Sequence, residues 1–174
     1  ARLSGALLDG AFMNGVNLSG AFMNGVDLAR ANLSGVNLSA AKLSGANLQS
    51  ANLQACNFTA AKLRGVNLVG ADLTGANLYK ASLSKADLSW TIMVRANLRG
   101  ADLSDANLDG ASIDGADLTD ATQPELFKQL LAGASVRIPQ EIVKDKHAWI
   151  QQSTTERNYN YGRRRVLSHY AEAE

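Results

Sequence analysis

The feature that most constrains this chain is a period of five residues that runs without a break to residue 120. Every fifth residue from Leu3 is large and apolar, at all 24 positions, with Phe58, Met93 and Ile113 among the exceptions to Leu. Two residues before each of these stands Ala or Val, replaced only by Cys56 and Thr91. The residue between them is usually Asn or Asp, Ser often follows the large residue, and Gly closes many units. A helix needs apolar spacings of three, four and seven, and a half-buried strand needs strict alternation, so neither fits this period.

A small and a large apolar residue two apart suit a short extended piece with both side chains on one face. The polar, Gly-rich remainder suits a turn. A chain that turns every five residues must coil, and each coil must stack on the next to bury its apolar face. Backbone groups then pair between coils at a spacing of ~4.8 Å.

The units ANLSG (31–35), ADLTG (71–75), ANLRG (96–100) and ADLSD (101–105) carry a resemblance to the pentapeptide-repeat family, whose consensus is A(D/N)LXX, in its bacterial and especially cyanobacterial form. The resemblance implies an all-β solenoid: a right-handed quadrilateral parallel β-helix of about six coils, 1–20, 21–40, 41–60, 61–80, 81–100 and 101–120. It implies that the large residue and the small one before it point inward. Leu3, Met23, Leu43, Leu63, Leu83 and Leu103 would then line one wall, with Phe58 and Leu118 on others. Burying 24 such side chains at roughly 1.5–3 kcal/mol each supplies most of the drive to fold. Cys56 takes a small inward position between Val36 and Ala76, where a thiol behaves as an inert apolar group.

Composition divides the chain into two domains, 1–120 and 121–174. The first holds 13 of the 15 Gly and no Glu, His or Pro. The second reads as a helical cap followed by a basic and aromatic tail. Pro124 can open a helix whose Leu126, Phe127, Leu130 and Leu131 cover the last coil, and Gly133 ends it. Residues 138–153 read as a second helix. The tail mixes Tyr159, Tyr161 and Tyr170 with Arg157 and Arg163 to Arg165, the makeup of a solvated or partner-ordered segment.

Net charge is +1, and the repeats hold nine basic residues against ten Asp. That balance argues against nucleic acid as the partner. A single cysteine excludes an internal disulfide. No apolar run reaches the ~18 residues of a membrane-spanning helix. The chain opens at Ala1, inside a repeat and without an initiator Met, which leaves room for a leader or further repeats; a cytoplasmic location is the expectation.

No catalytic set stands out from the periodic background. His147 and His169 have no evident ligand companions, and no phosphate loop or dinucleotide fingerprint is present. No enzyme activity, cofactor or metal is therefore expected. Stacking residues 20 apart gives one outward column of Asn17, Asn37, Asn57, Asn77, Asn97 and Asp117, read as a structural ladder bonding the neighbouring backbone. The last coil is acidic. Coil five breaks the pattern: Trp90 stands where Gly is usual, Ile92 where Asn or Asp is usual, and Val94 where Ser is common. With Lys85, Arg95 and Arg99 beside them, these residues form a candidate interaction patch of apolar centre and basic rim. Leu7, Phe12 and Phe22 occupy outward positions near an uncapped first coil, which suits equally a homodimer through that end or a missing cap. The reading is a non-catalytic scaffold for an unidentified protein partner. The alternative, which the family resemblance implies, is a DNA mimic acting on DNA gyrase; near-neutral repeats lack the negative field it needs.

Overall fold

The computed structural model of the chain describes residues 1–122. Its backbone can be accounted for amide by amide, and the unit 56–60 stands for those that carry Asn or Asp between the small and large residues. The Cys56 amide donates to Leu53 O at 3.2 Å, closing a turn. The Asn57 amide reaches back one coil to Val36 O at 3.0 Å. Phe58 and Ala60 reach forward one coil, to Asn77 O at 2.7 Å and Tyr79 O at 2.8 Å. The fifth amide, of Thr59, donates to the side chain of Asn57 at 3.0 Å. Five residues thus satisfy five donors, which is the condition for a backbone to be packed against itself.

Twenty-one isolated parallel bridges express this pairing, each linking a residue to the one 20 further on, from Arg2 with Phe22 to Asp102 with Thr122. Four bridges per 20 residues make a four-sided solenoid of six coils. The sides are too short for extended strands: each contributes one bridged residue before the chain turns. The sides are called the first to fourth faces, beginning in coil one with 1–5, 6–10, 11–15 and 16–20.

Each corner is a turn in which the amide three residues on donates to the large residue's carbonyl. Its second central residue has positive φ at all 24 corners, the requirement of a type II turn. Glycine meets it at thirteen. The other eleven include Arg30, Lys80, Lys85, Trp90 and Arg95, and none is β-branched, the class that suffers most in the left-handed region.

The core fills the tube. From Leu18 to Leu118 every large inward side chain is buried, whereas Leu3, Leu8 and Met13 of the first coil are half-buried. Met23, Leu43, Leu63 and Leu83 are fully buried along one wall. Cys56 is buried, its thiol donates to Leu33 O at 2.9 Å, and desolvation pushes its pKa up to about 11. It is a neutral core group at physiological pH. Thr91, the polar exception in the small series, is buried with its hydroxyl donating to Leu88 O at 2.6 Å.

The polar column behaves as a set of local caps. All fifteen Asn and Asp residues between the small and large positions accept from the amide two residues on, from Asn17 with Ser19 to Asp117 with Thr119. Side-chain bonds between coils are sparser. The column from Asn17 to Asp117 has one such bond, Asn97 to Asn77 at 3.2 Å. The second face has three: Asn47 to Asp27, Asn67 to Asn47, and Asn107 to Asp87. The proposed cap residues Leu126, Phe127, Leu130 and Leu131, the second helix, the tail and both His lie outside the described residues. Among the described residues no group of His, Cys, Asp or Glu is placed to hold a metal, and no helix is long and apolar enough to cross a membrane.

Candidate interaction site

The site begins with the conformation of the corners. At Lys80, Trp90 and Arg95 the side chain on a left-handed corner leans along the solenoid axis over the corner one coil later, whereas Arg30 reaches back to Asp9. A Cβ on Gly100 would lie 3.4 Å from Lys80 Cγ, and one on Gly115 would lie 3.5 Å from Arg95 Cγ. On Gly110 it would lie 2.6 Å from the indole of Trp90, closer than real Cβ atoms approach. Gly110 is therefore glycine for two reasons: its φ of 68° and the ring resting on it.

Lys80, Lys85, Trp90 and Arg95 occupy four consecutive corners and form a collar around coil five. A non-Gly residue in this region costs roughly 1–2 kcal/mol relative to its ordinary conformation. Four large residues in succession, where Gly serves elsewhere, place a repeated local cost in one belt.

Trp90 is the apolar member. It stands at the corner of the second and third faces and is 64% exposed despite its contact with Gly110. Ile92, 43% exposed, follows on the third face, with half-buried Val94 beyond it. Ile92 bridges Asp72 in the coil before and Ser112 in the coil after. These three side chains are the part of the sequence-derived patch that the fold brings to one place.

The basic members are distributed differently. Arg95 is at the far corner of the third face, Lys85 is one whole face back, and Arg99 is on the fourth face with its Nε 4.0 Å from Asp120. The stack adds carboxylates from the adjoining coils, Asp72 and Asp114 on the third face and Asp109 on the second, to Asp87 of the same coil. Sequence proximity pointed to residues 85–99, but the 20-residue stack supplies the neighbours. Gly110 was missed for the same reason, although its place 20 residues after Trp90 was a readable signal.

Asp72 illustrates the electrostatics of this rim. Partial burial works to raise its pKa, but hydrogen bonds from Thr74 and Gln54, the latter at 2.6 Å, hold it below the usual carboxylate value. Asp72 is thus anionic at neutral pH.

The match to known proteins agrees with this geometry. The model of pentapeptide repeats matches in eight copies, over 1–35, 23–59, 31–68, 51–89 and 81–120. The chain belongs to the pentapeptide repeat family. Similar solved structures include the pentapeptide repeat protein Rfr23 from the cyanobacterium Cyanothece 51142, at 31% identity over 68% of this chain and 87% of that one, with a TM-score of 0.45. Another is alr5209, a pentapeptide repeat protein from Nostoc PCC 7120, at 33% identity over 64% of this chain and 84% of that one, TM-score 0.45. A third is HetL from Nostoc sp. strain PCC 7120, involved in heterocyst differentiation regulation, at 26% identity over 70% and 80%, TM-score 0.33. No curated protein matches the chain at a comparable standard. Pentapeptide repeat proteins are generally structural or interaction proteins, and no catalytic family is indicated.

Proposed function

We propose that this pentapeptide repeat protein is a non-catalytic scaffold that holds a protein partner at the corner occupied by Trp90. The observation that carries the reading is a tryptophan, largely exposed, in a left-handed corner where glycine serves at thirteen other units. Exposed Trp beside Ile and Val is the composition of an interface centre. The carboxylates of Asp72, Asp87, Asp109 and Asp114 around it suit a partner that presents an apolar side chain flanked by Lys or Arg.

Mimicry of DNA toward a gyrase is the weaker reading. It calls for a concentrated negative surface, and the outward charge here is near balance over 1–120 and divided among the faces.

The test is capture of partners from a host-cell extract by the full chain carrying a photo-cross-linker at Ser112, compared with the same protein bearing Trp90→Asn and Ile92→Asn. Both substitutions are outward, and Asn is the usual residue at position 92. Loss of a specific cross-linked species with an unchanged thermal midpoint is the expected result. The same species captured by both proteins would remove the assignment.

A further inference from the structure

Charge on this solenoid is segregated by face, although it nearly cancels in sum. The first face carries Arg2, Lys42, Lys62, Arg64 and Lys85, and over its first five coils it has no carboxylate; Asp102 and Asp105 appear only in coil six. The second face has the opposite balance, with Asp9, Asp27, Asp87 and Asp109 against Arg30, which is itself paired with Asp9.

The first face also departs from the polar rule in a way that costs stability. On the second and fourth faces the bridged column is largely Asn or Asp, and on the third half of it is, each capping an amide. Here the column reads Arg2, Phe22, Lys42, Lys62, Ser82 before reaching Asp102. Lys42 and Lys62 bridge directly, so like charges stand one coil apart, an unfavourable cross-strand pair. Asn at either position would remove the repulsion, and at 62 it would also supply a cap; the Ser44 amide already donates to Asn24 Oδ1 at 3.1 Å. Fold stability alone does not select this arrangement.

Its geometry is that of a flat plate. The coils stack in register, so Lys42 and Lys62 stand in one column, with exposed Arg64 in the turn that follows Lys62. The residues around them, Ser44, Gly45, Gly65 and Ser82, are short. Phe22, 44% exposed, lies in the same column, with Lys42 Nζ 4.2 Å and Arg2 Cζ 5.9 Å from its ring centre.

We infer that the first face is a docking surface for an anionic lipid bilayer. A rigid plane of basic side chains meets a planar array of headgroups with all charges engaged together, and an aromatic ring among them suits the interfacial layer. A single-stranded nucleic acid needs a series of open aromatic platforms, whereas this face has one ring, already taken by two cations. The acidic second face adjoins the first at a corner and stands edge-on to the membrane in this orientation, so net neutrality is no obstacle.

Sedimentation of the full chain with vesicles tests this. The wild-type protein should pellet with vesicles of phosphatidylcholine plus phosphatidylserine, lose binding as salt is raised, and ignore pure phosphatidylcholine. Lys42→Asn with Lys62→Asn should bind ~30-fold more weakly, the effect of two basic groups at an anionic surface. Its thermal midpoint should stay level or rise, since the consensus residue is restored. Arg163→Gln, Arg164→Gln and Arg165→Gln together should leave binding largely in place, as should Trp90→Asn. Vesicle binding unaltered in the Lys variant would overturn the inference. So would binding abolished by the tail variant, or capture of poly-glutamate or an oligonucleotide with no affinity for the vesicles.

Discussion

At the scale of single residues, the corners decide more than the sides. A left-handed corner accepts Arg, Lys or Trp at a cost of about a kilocalorie or two, and at Lys80, Trp90 and Arg95 the side chain goes forward, over the corner one coil on. The pair Trp90 and Gly110 expresses both halves of the rule. Gly110→Ala forces its Cβ to within 2.6 Å of the indole, so the ring must leave. In a Trp149→Phe background, which leaves Trp90 as the one remaining tryptophan, fluorescence should shift to the red. Strain in the corner and loss of the contact should lower stability by about 1–3 kcal/mol. Unchanged emission would mean that the indole does not rest on Gly110. Much of this level was legible in the sequence. The large and small series identified the inward residues because only one spacing puts both on the same side of a turn. The direction in which a corner side chain leans was not legible, because it depends on the sign of φ and on what stands one coil ahead.

At the scale of the five-residue element, the Asn and Asp column is a capping device, and its carboxylate members make stability depend on pH. Hydrogen bonds from Ser104 hold Asp102 below the usual range despite some desolvation, with Thr122 and the charge of Arg64 assisting. Bonds from the Thr119 side chain and amide do the same for Asp117, against slight burial and with help from Arg99. Asp72 is lowered as described. A carboxyl whose folded pKa is depressed binds fewer protons in the native state than in the unfolded chain. Its contribution is complete above the unfolded value of about 4 and disappears as pH falls through the folded value. The thermal midpoint should therefore be level from neutral pH to about 5 and decline below about 4. Asp72→Asn keeps an acceptor for the Thr74 amide but has no charge to lose, so it should flatten that decline. An identical acid profile in the variant would show that the Asp72 bonds contribute nothing. The sequence pointed to this column as a backbone-bonding one. It did not reveal that bonds between coils favour the second face over the column from Asn17 to Asp117, because the oxygens of both columns bond the nearest amide and only side-chain placement in the stack separates them.

At the scale of the whole molecule, the 20-residue stack converts sequence position into surface chemistry, and here the linear reading failed most clearly. Summed along the chain, the repeats are nearly neutral; sorted by face, they are a basic plate beside an acidic one. The same sorting gives Trp90 acidic neighbours where adjacent sequence offered basic ones. This makes register an experimental variable. Removing one pentapeptide, 46–50 (ANLQS), deletes no charge. Each unit has the same backbone role, and a solenoid's stability is close to a sum of units and nearest-neighbour interfaces, so the shortened chain should fold with a lowered midpoint. Every later unit, however, moves back by one face. Arg2, Phe22 and Lys42 stay on the first face while Lys62 and Arg64 pass to the fourth, and the plate is split. Trp90, Ile92 and Gly110 move together, so their mutual geometry is kept. The deletion should therefore weaken vesicle binding about as much as the double Lys substitution while the Trp90-dependent cross-link survives. Removing a full coil, 41–60, also takes out Lys42 but brings Phe22 and Lys62 into register on the first face, and should retain more binding than the five-residue deletion although it removes more of the protein. If the two deletions reverse that order, binding follows total charge rather than the plane, and the basic face is not the docking surface.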